Sequence, residues 1–518
     1  MIKQIVKRDQ AVVPFRREKI VLAIFKAASS VGGSDFAMSE KLAAEVVEMA
    51  EAKYPNGIAD VEGIQDIVEK VLIENGHAKT AKAFILYREK RRASREANAL
   101  IGATIDMFTE YLNDRDWQIN ENANTQKSIN GLNNYVREEF TKNYWLHEIY
   151  PEDIRNAHIQ GDIHIHDLGF FGPYCAGWDL RQIITNGFGG VSNKVESSPP
   201  KHLRSLLGQI INSTFTTQGE TAGAQAWSSF DTYLAPYIRY DDLDYKQVRQ
   251  AIQEFIFNLN VPTRVGFQCP FSNLTFDIIP PKTLRDQNVI YAGQLMPETY
   301  GDFQDEMDVI NLAFCDVMME GDAKGRVFTF PIPTINITKD FNWNSPVVEK
   351  YMEITAKYGI PYFSNYINSD LSPEDALSMC CRLRLNTSEL RKRGGGLFGS
   401  NPLTGSIGVV TINLPRLAYL SRSESEFFTR LWETMYIAKK SLEIKRKIIE
   451  EQTDNGLYPY SRNYLKDVKL KSGSYWFNHF NTIGLIGMNE AVMNLFGRDT
   501  DLTSDKGQAF AVKTLEYM

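Results

Sequence analysis

The chain has 518 residues, 43% hydrophobic and 23% charged, a balance of ordinary globular usage that excludes a disordered or fibrous chain. Its formal net charge of -7 argues against a general nucleic-acid binder, and no run reaches the roughly 20 apolar residues that span a bilayer. The opening MIKQIVKRDQ carries charges where a signal peptide needs an apolar core, so a cytoplasmic protein with neither nucleic-acid nor membrane partners is expected.

Residues 1–95 form the first unit. Short apolar runs at 5–7 and 12–15 flank Arg8-Asp9-Gln10-Ala11, the pattern of a β-hairpin closed by a polar turn. Four amphipathic helices are predicted over 17–29, 40–54, 60–75 and 80–95, with Ile20 and Ile24, Leu42 and Val46, Ile64 and Val68, and Ala83 and Tyr87 marking their inner faces. Basic residues gather at the hairpin (Lys7, Arg8), at the start of the first helix (Lys19) and at the end of the last (Arg88, Lys90, Arg91, Arg92). Such a set converges on a triphosphate, or, on charge pattern alone, it is a solvated helix face.

From residue 96 to 518 helical stretches alternate with short strand-like runs. Leu203, Leu206, Leu207 and Ile210 mark one helix, and a longer one covers 426–451. Strands are predicted over 326–337, 360–366 and 407–414, rich in β-branched and aromatic residues. This alternation predicts an α/β barrel, with eight and ten strands equally compatible.

Three constellations carry candidate chemistry. In Gly161-Asp162-Ile163-His164-Ile165-His166-Asp167-Leu168, strand alternation puts His164 and His166 on one face with Asp162. That pair could bind a polar substrate or be structural; a metal would need a third ligand. Cys175 follows nine residues after His166 through a Gly172-Pro173 turn, near enough to line the same cavity. The second constellation runs from Met379-Cys380-Cys381-Arg382 through Gly394-Gly395-Gly396 to Gly408-Val409-Val410-Thr411-Ile412-Asn413. Adjacent cysteines on extended chain point apart, so one of them faces a given cavity, and no Gly-Lys-Ser/Thr follows the glycines to make a phosphate loop. The third, residues 218–232, is polar, rich in small residues and helix-like in context, and suits either packing or nucleotide contact. The cysteines are Cys175, Cys269, Cys315, Cys380 and Cys381, an odd set without a C-x-x-C pair, so reduced thiols are expected, with Cys269 and Cys315 as core residues.

The segments IVKRDQAVVPFRREKIVLAI and GHAKTAKAFILYREKR resemble the ATP-cone, an allosteric module of ribonucleotide reductases. The resemblance implies ATP or dATP, with Mg2+, held by Val6, Lys7, Arg8, Arg16, Lys19, Tyr87, Arg88 and Lys90. One departure is Gln10, where the family turn has glycine. GDIHIHDL, MCCRLRL, GVVTINLPR and TIGLIGMNEA are similar to the catalytic barrel of the class III anaerobic ribonucleoside-triphosphate reductases, which are glycyl-radical enzymes. Together the two resemblances cover nearly the whole chain.

They imply a ten-stranded α/β barrel behind a small, mainly helical cone with its hairpin, and a homodimer that forms larger assemblies with dATP. Cys381 matches the thiyl-radical cysteine, Cys175 the second active-site cysteine, and Asn413 a polar group beside the substrate, with His164, His166 and Cys380 as further substrate contacts. The implied activity is reduction of ribonucleoside triphosphates for deoxyribonucleotide biosynthesis and DNA replication, with formate as reductant and a radical-SAM enzyme as activator. The family's radical glycine and four-cysteine Zn2+ site lie in a C-terminal segment not found before Met518, so the sequence reads as truncated or as the ordered part of a longer polypeptide. A lyase of the pyruvate formate-lyase type is the rival enzyme, and a non-catalytic nucleotide sensor the rival regulator. The cone opposes the first, and the large barrel the second.

Overall fold

The computed structural model describes residues 2–7, 12–88, 107–113, 127–264, 268–367, 376–378, 384–386 and 403–518. They divide into two compact units, Met1–Asn113 and Asp114–Met518.

In the first unit the expected hairpin is present as β1 (Gln4–Val6) and β2 (Val12–Pro14), but β1 also pairs in parallel with β3 (Ile58–Asp60). This third strand is three residues long with only Ala59 buried, too short for alternation to announce it. The helices are α1 (Arg17–Ser29), α2 (Phe36–Lys53), α3 (Val61–Glu74) and α4 over residues 78–88. Ile24, Leu42, Val46, Val68 and Leu72 form their common core. Asp60 locks the β3–α3 junction: its carboxylate accepts the Gly63 N–H at 2.7 Å, capping α3, and the Tyr54 hydroxyl at 2.6 Å. These bonds, Tyr54's first, hold the Asp60 carboxyl below its usual range. Gly63 has no substitute here, because a Cβ would sit 1.9 Å from the Tyr54 oxygen.

The second unit is an α/β fold around a curled sheet. In chain order its strands are β4 (Ile163–Ile165), β5 (Cys175–Trp178), β6 (Gln225–Trp227), β7 (Ser272–Phe276), the hairpin β8 (Asn288–Tyr291) and β9 (Gln294–Thr299), then β10 (Ile332–Ile337) and β11 (Tyr362–Asn365). A second hairpin, β12 (Ala376–Ser378) and β13 (Arg384–Asn386), precedes β14 (Gly405–Asn413) and β15 (His479–Ile486). The main sheet has the order β11-β10-β7-β6-β5-β14-β15, with β4 also on β14. From β5 to β11 every pairing is parallel, whereas β14 runs antiparallel to β5 and β4 and parallel to β15. Eight strands are described in this sheet, and the ten of the sequence expectation remain a proposal.

Helices cover the outer face in two groups. Leu206, Ile210, Phe230, Phe276, Phe314 and Tyr351 belong to the core over the parallel strands. Val410, Ile412, Phe427, Leu431, Leu442 and Phe510 form the core where the long helix Glu424–Asp454 packs on β14. The strand predicted over 326–337 is shorter than expected, since only Ile332–Ile337 finds partners. The region 218–232 is mostly loop and strand, where a helix-like context was expected; only its last three residues are helical, opening the helix Phe230–Tyr240. Trp178 Nε1 donates to Gln225 at 2.5 Å, Gln225 to Thr221, and Trp227 Nε1 to Thr214 at 3.0 Å, so Thr221, Gln225 and Trp227 are bonded inside the fold.

His479, first residue of β15, is 3% exposed, meets Trp476 edge-on at 4.7 Å, and has no hydrogen-bond partner on either ring nitrogen. Burial first, then the nearby Arg446, push its pKa down to about 3. A histidine whose folded value lies below its unfolded one, about 6.5, stabilises the protein while neutral and loses that stabilisation as pH falls from there towards the folded value. By pH 4 the loss should reach about 3 kcal/mol. Unfolding midpoints of the second unit should therefore fall between pH 6.5 and 4, and His479→Leu should flatten that slope; an unchanged slope in the variant would refute the assignment.

Candidate active site

The inner face of the sheet is built around Cys175. Its register partner across β14 is Ser406, whose own partner on β15 is Phe480, so the three residues form one row. The Ala224 N–H donates to the Cys175 Sγ at 3.3 Å, and Ala224 and Ala226 pack beside it. Two glycines make this approach feasible. A Cβ on Gly223 would lie 2.7 Å from Sγ, and one on Gly405 would lie 2.2 Å from the Cys175 carbonyl oxygen. Ser406 Oγ is 3.2 Å from Thr482 Oγ1 and donates to the Gly408 carbonyl at 3.1 Å.

Further along β14 lie the histidines. Ile163 and Ile165 are buried towards the helices while His164 is exposed on the other face, as strand alternation predicts. His164 pairs in register with Thr411, and His166 Nε2 is 2.8 Å from Thr411 Oγ1. The His158, His164 and His166 rings follow one another at 5.6 and 4.6 Å, and Tyr174 continues the series 6.4 Å from His166, leading to Cys175. His158, whose Nδ1 accepts the Ile165 N–H at 3.3 Å, has its pKa lowered to about 4, by burial first and then by His164 and Lys142. Asp162 is engaged separately, 2.7 Å from Arg416 Nε. Among the described residues no group of three His, Cys, Asp or Glu is placed to share a metal ion.

Asn413 lies at the end of β14. Its side chain caps the helix Leu414–Tyr419 by accepting the Arg416 N–H at 3.2 Å, and donates to the Gly161 carbonyl at 2.9 Å. Seven residues of strand separate it from Ser406, on the order of 20 Å. The polar side chain that faces Cys175 is Ser406, which sequence reasoning missed because register was not available to it. Cys380 and Cys381 lie outside the described residues, in the stretch that joins β12 to β13 in sequence. Cys269 donates to the Asn260 carbonyl at 3.0 Å, Cys315 is core, and burial raises both thiol pKa values.

The first unit has its own cavity, of about 760 Å³, lined by Ile5, Lys7, Phe15, Arg16, Lys19, Lys26, Tyr87 and Arg88 among others. Four expected contacts thus converge with Arg88: Lys7, Arg16, Lys19 and Tyr87. Val6 is not in the lining and instead pairs with Val12 and Asp60 across the sheet. Arg8 and Lys90 lie outside the described residues. Lys26, one α1 turn pair beyond Lys19, was not foreseen. Arg88 is already matched: it binds Asp66 at 2.8 Å, Glu69 at 2.7 Å, and Glu62. Burial works against its charge, but the bonds from Glu69, Asp66 and Glu62 outweigh that and hold the guanidinium above its ordinary range. It therefore fastens α4 to α3, leaving Lys7, Arg16, Lys19 and Lys26 as the cavity's uncommitted cations among the described residues.

The second unit is thus an α/β fold whose curled sheet carries the row Cys175, Ser406 and Phe480, and the first is a small helical unit with a cavity rimmed by cations. The chain belongs to the anaerobic ribonucleoside-triphosphate reductase family, which it matches over residues 121–518, and it matches the ATP cone domain over residues 3–93. It is 27% identical over 544 aligned positions to the anaerobic ribonucleoside-triphosphate reductase of Haemophilus influenzae, covering 98% of this chain and 73% of that one. It is 46% identical over 113 positions to the vitamin B12-dependent ribonucleoside-diphosphate reductase of Thermoplasma acidophilum, covering 21% of this chain and 14% of that one. The fold is similar to the crystal structure of the anaerobic ribonucleotide reductase from Thermotoga maritima in complex with dATP and CTP, with a TM-score of 0.59, 20% identity, and coverage of 82% of this chain and 72% of that one.

The two kinds of cation in the cone cavity should separate experimentally. Lys7→Ala and Lys19→Ala should each weaken dATP binding several-fold in calorimetry, at about 1 kcal/mol per lost phosphate contact, with little change in unfolding midpoint. Arg88→Ala should instead destabilise the unit by about 1–3 kcal/mol; an Arg88→Ala protein as stable as the parent would refute its assignment as a tie between helices.

Proposed function

We propose that this enzyme reduces ribonucleoside triphosphates to 2′-deoxyribonucleoside triphosphates in the cytoplasm, under allosteric control by ATP and dATP bound with Mg2+ in the first unit. The supporting observation is the row Cys175–Ser406–Phe480 on the inner face of a sheet whose sequence matches the reductase family. The catalytic segment begins near residue 96 and the regulatory one ends near residue 95. The working form is a homodimer, larger with dATP, activated by a radical-SAM enzyme, and Zn2+ belongs to the family's C-terminal segment.

Removing a ribose 2′-hydroxyl requires that the 3′ hydrogen leave first, and no acid or base does this at neutral pH. The family's glycyl radical supplies the oxidising equivalent. In this chain Cys381 is the residue assigned to take the 3′ hydrogen and return it, because S–H and activated ribose C–H bonds are close in strength. Cys175 gives a hydrogen atom to the other sugar face, and Ser406 hydrogen-bonds the sugar beside it. His164 and His166 contact substrate further along β14, Cys380 is a further substrate contact, and Asn413 is a polar group beside the substrate. Formate is the reductant: the hydroxyl leaves as water, formate is oxidised to carbon dioxide, and one proton is consumed. The protein's share of the work is orientation and exclusion of water from reactive intermediates.

The test uses the native polypeptide, activated anaerobically and supplied with nucleoside triphosphates and formate. Cys175→Ala and Cys381→Ala should each lower product formation by about 10³-fold or more, while dATP binding to the first unit stays unchanged. Turnover that survives either substitution would remove that cysteine from the chemistry. Ser406→Ala should retain activity but lose about 10- to 100-fold in kcat/KM, at roughly 1.5–3 kcal/mol for one buried hydrogen bond in a site.

A further inference from the structure

We infer that Lys445, together with Arg264, forms a binding subsite for a small monocarboxylate anion directly behind Cys175. The inference rests on the reductase reading above and names the place where its formate is held.

Lys445 projects from the long helix Glu424–Asp454 towards the start of β14. A Cβ on Gly408 would lie 3.1 Å from its Cδ and 3.5 Å from its Nζ, so the absence of a side chain there is what admits the ammonium. Gly408 is two residues beyond Ser406, the register partner of Cys175. Lys445 is 3% exposed, and among the described residues its Nζ has neither a hydrogen bond nor an ion pair. Asp167 and Cys175 are the groups that act on its charge. Arg264 donates to the Ala222 carbonyl, two residues before the N–H that holds the Cys175 sulfur. It too is influenced by Asp167 and Cys175.

Two cations therefore interact electrostatically with one sulfur. The carboxylate within their reach, Asp167, is exposed and screened by water. Arg137 and Glu138, one layer out, are 3.9 Å apart and offset each other. A buried ammonium without a counter-charge is costly, and an anion relieves that cost. Burial already drags the Lys445 pKa down to about 8, Asp167 and Cys175 opposing it. This excess of positive charge, confined to two side chains, suits a small anion rather than a triphosphate. A carboxylate matches both donors, one oxygen for the ammonium and an edge for the guanidinium.

The experiment titrates carbon-13-labelled sodium formate into the purified chain at constant ionic strength and follows the formate line width, with sodium chloride as the salt control. Saturable broadening is expected. Lys445→Met should weaken it about 10- to 100-fold, the loss of one charge-assisted hydrogen bond, and Lys445→Arg should keep it within a few-fold. Arg264→Gln, the second variant, should weaken it in the same direction if Lys445→Met fails to fold. Broadening that never saturates, or that both variants leave as in the parent, overturns the subsite. In the activated enzyme the two readings separate: turnover independent of formate refutes formate as reductant, whereas formate-dependent turnover with an unchanged KM for formate in both variants overturns the subsite alone. A raised KM for formate with kcat retained supports it.

Discussion

Strand β14 is the constraint on which the second unit depends. It is the one described strand of the main sheet with three partners: β5 at its start and β4 at its end along one edge, and β15 along the other. The pairing with β15 shifts register between Ser406 and Gly408, and a bulge of this kind re-aims side chains. Before the shift Ser406 faces inward with Cys175; after it Gly408 faces the long helix, and Val410 and Ile412 continue into the core beneath it. One irregularity thus serves both sides of the sheet. It places a hydroxyl opposite the sulfur and opens a glycine-sized gap for Lys445 behind it.

Buried charge in this protein falls into two kinds, distinguished by whether partners are present. Asp231 accepts the N–H groups of Thr232, Asp277 and Ile278 and the Asn311 amide, all at 2.9–3.0 Å. Its neighbour Asp277 is bonded by Thr232 and Asn336. Burial first, and then the nearby Asp231, raise Asp277 to about 7, so a strongly perturbed pKa occurs here in a hydrogen-bonded structural network that joins β7, β10 and two helices. Arg88 is a second case, perturbed but matched by three carboxylates. Perturbation alone therefore does not mark function. Lys445 differs because its partners are lacking among the described residues.

Much of the architecture was legible from periodicity. The helix predicted over 17–29 is α1 itself, and the pattern over 426–451 extends by a few residues at each end because Ser423 caps it, accepting the Glu426 N–H. Alternation correctly put His164 opposite Ile163 and Ile165. What sequence could not supply was register. Asn413 and Ser406 are both polar residues on one strand, and only the pairing with β5 tells which faces Cys175. The same limit hid β3, whose three residues gain their strand character from β1 rather than from their own pattern. It also hid Arg88's commitment to α3, since Glu62, Asp66 and Glu69 precede it by 19 to 26 positions.

The described cysteines show how surroundings, rather than residue type, divide reactive from inert thiols. Cys315 lies among Phe314, Met318 and Tyr351 in the main core, where nothing stabilises its charged form enough to offset burial. Cys269 gives its proton to a backbone carbonyl, which holds it as a thiol. Cys175 is as deeply buried as Cys315, at 1% exposure against 0%, yet its sulfur accepts a backbone N–H and interacts electrostatically with Lys445 and Arg264. A sulfur that accepts a hydrogen bond is stabilised as electron density grows on it, and cations behind it act in the same sense. On the role proposed for Cys175, the same burial would keep water from a sulfur-centred intermediate.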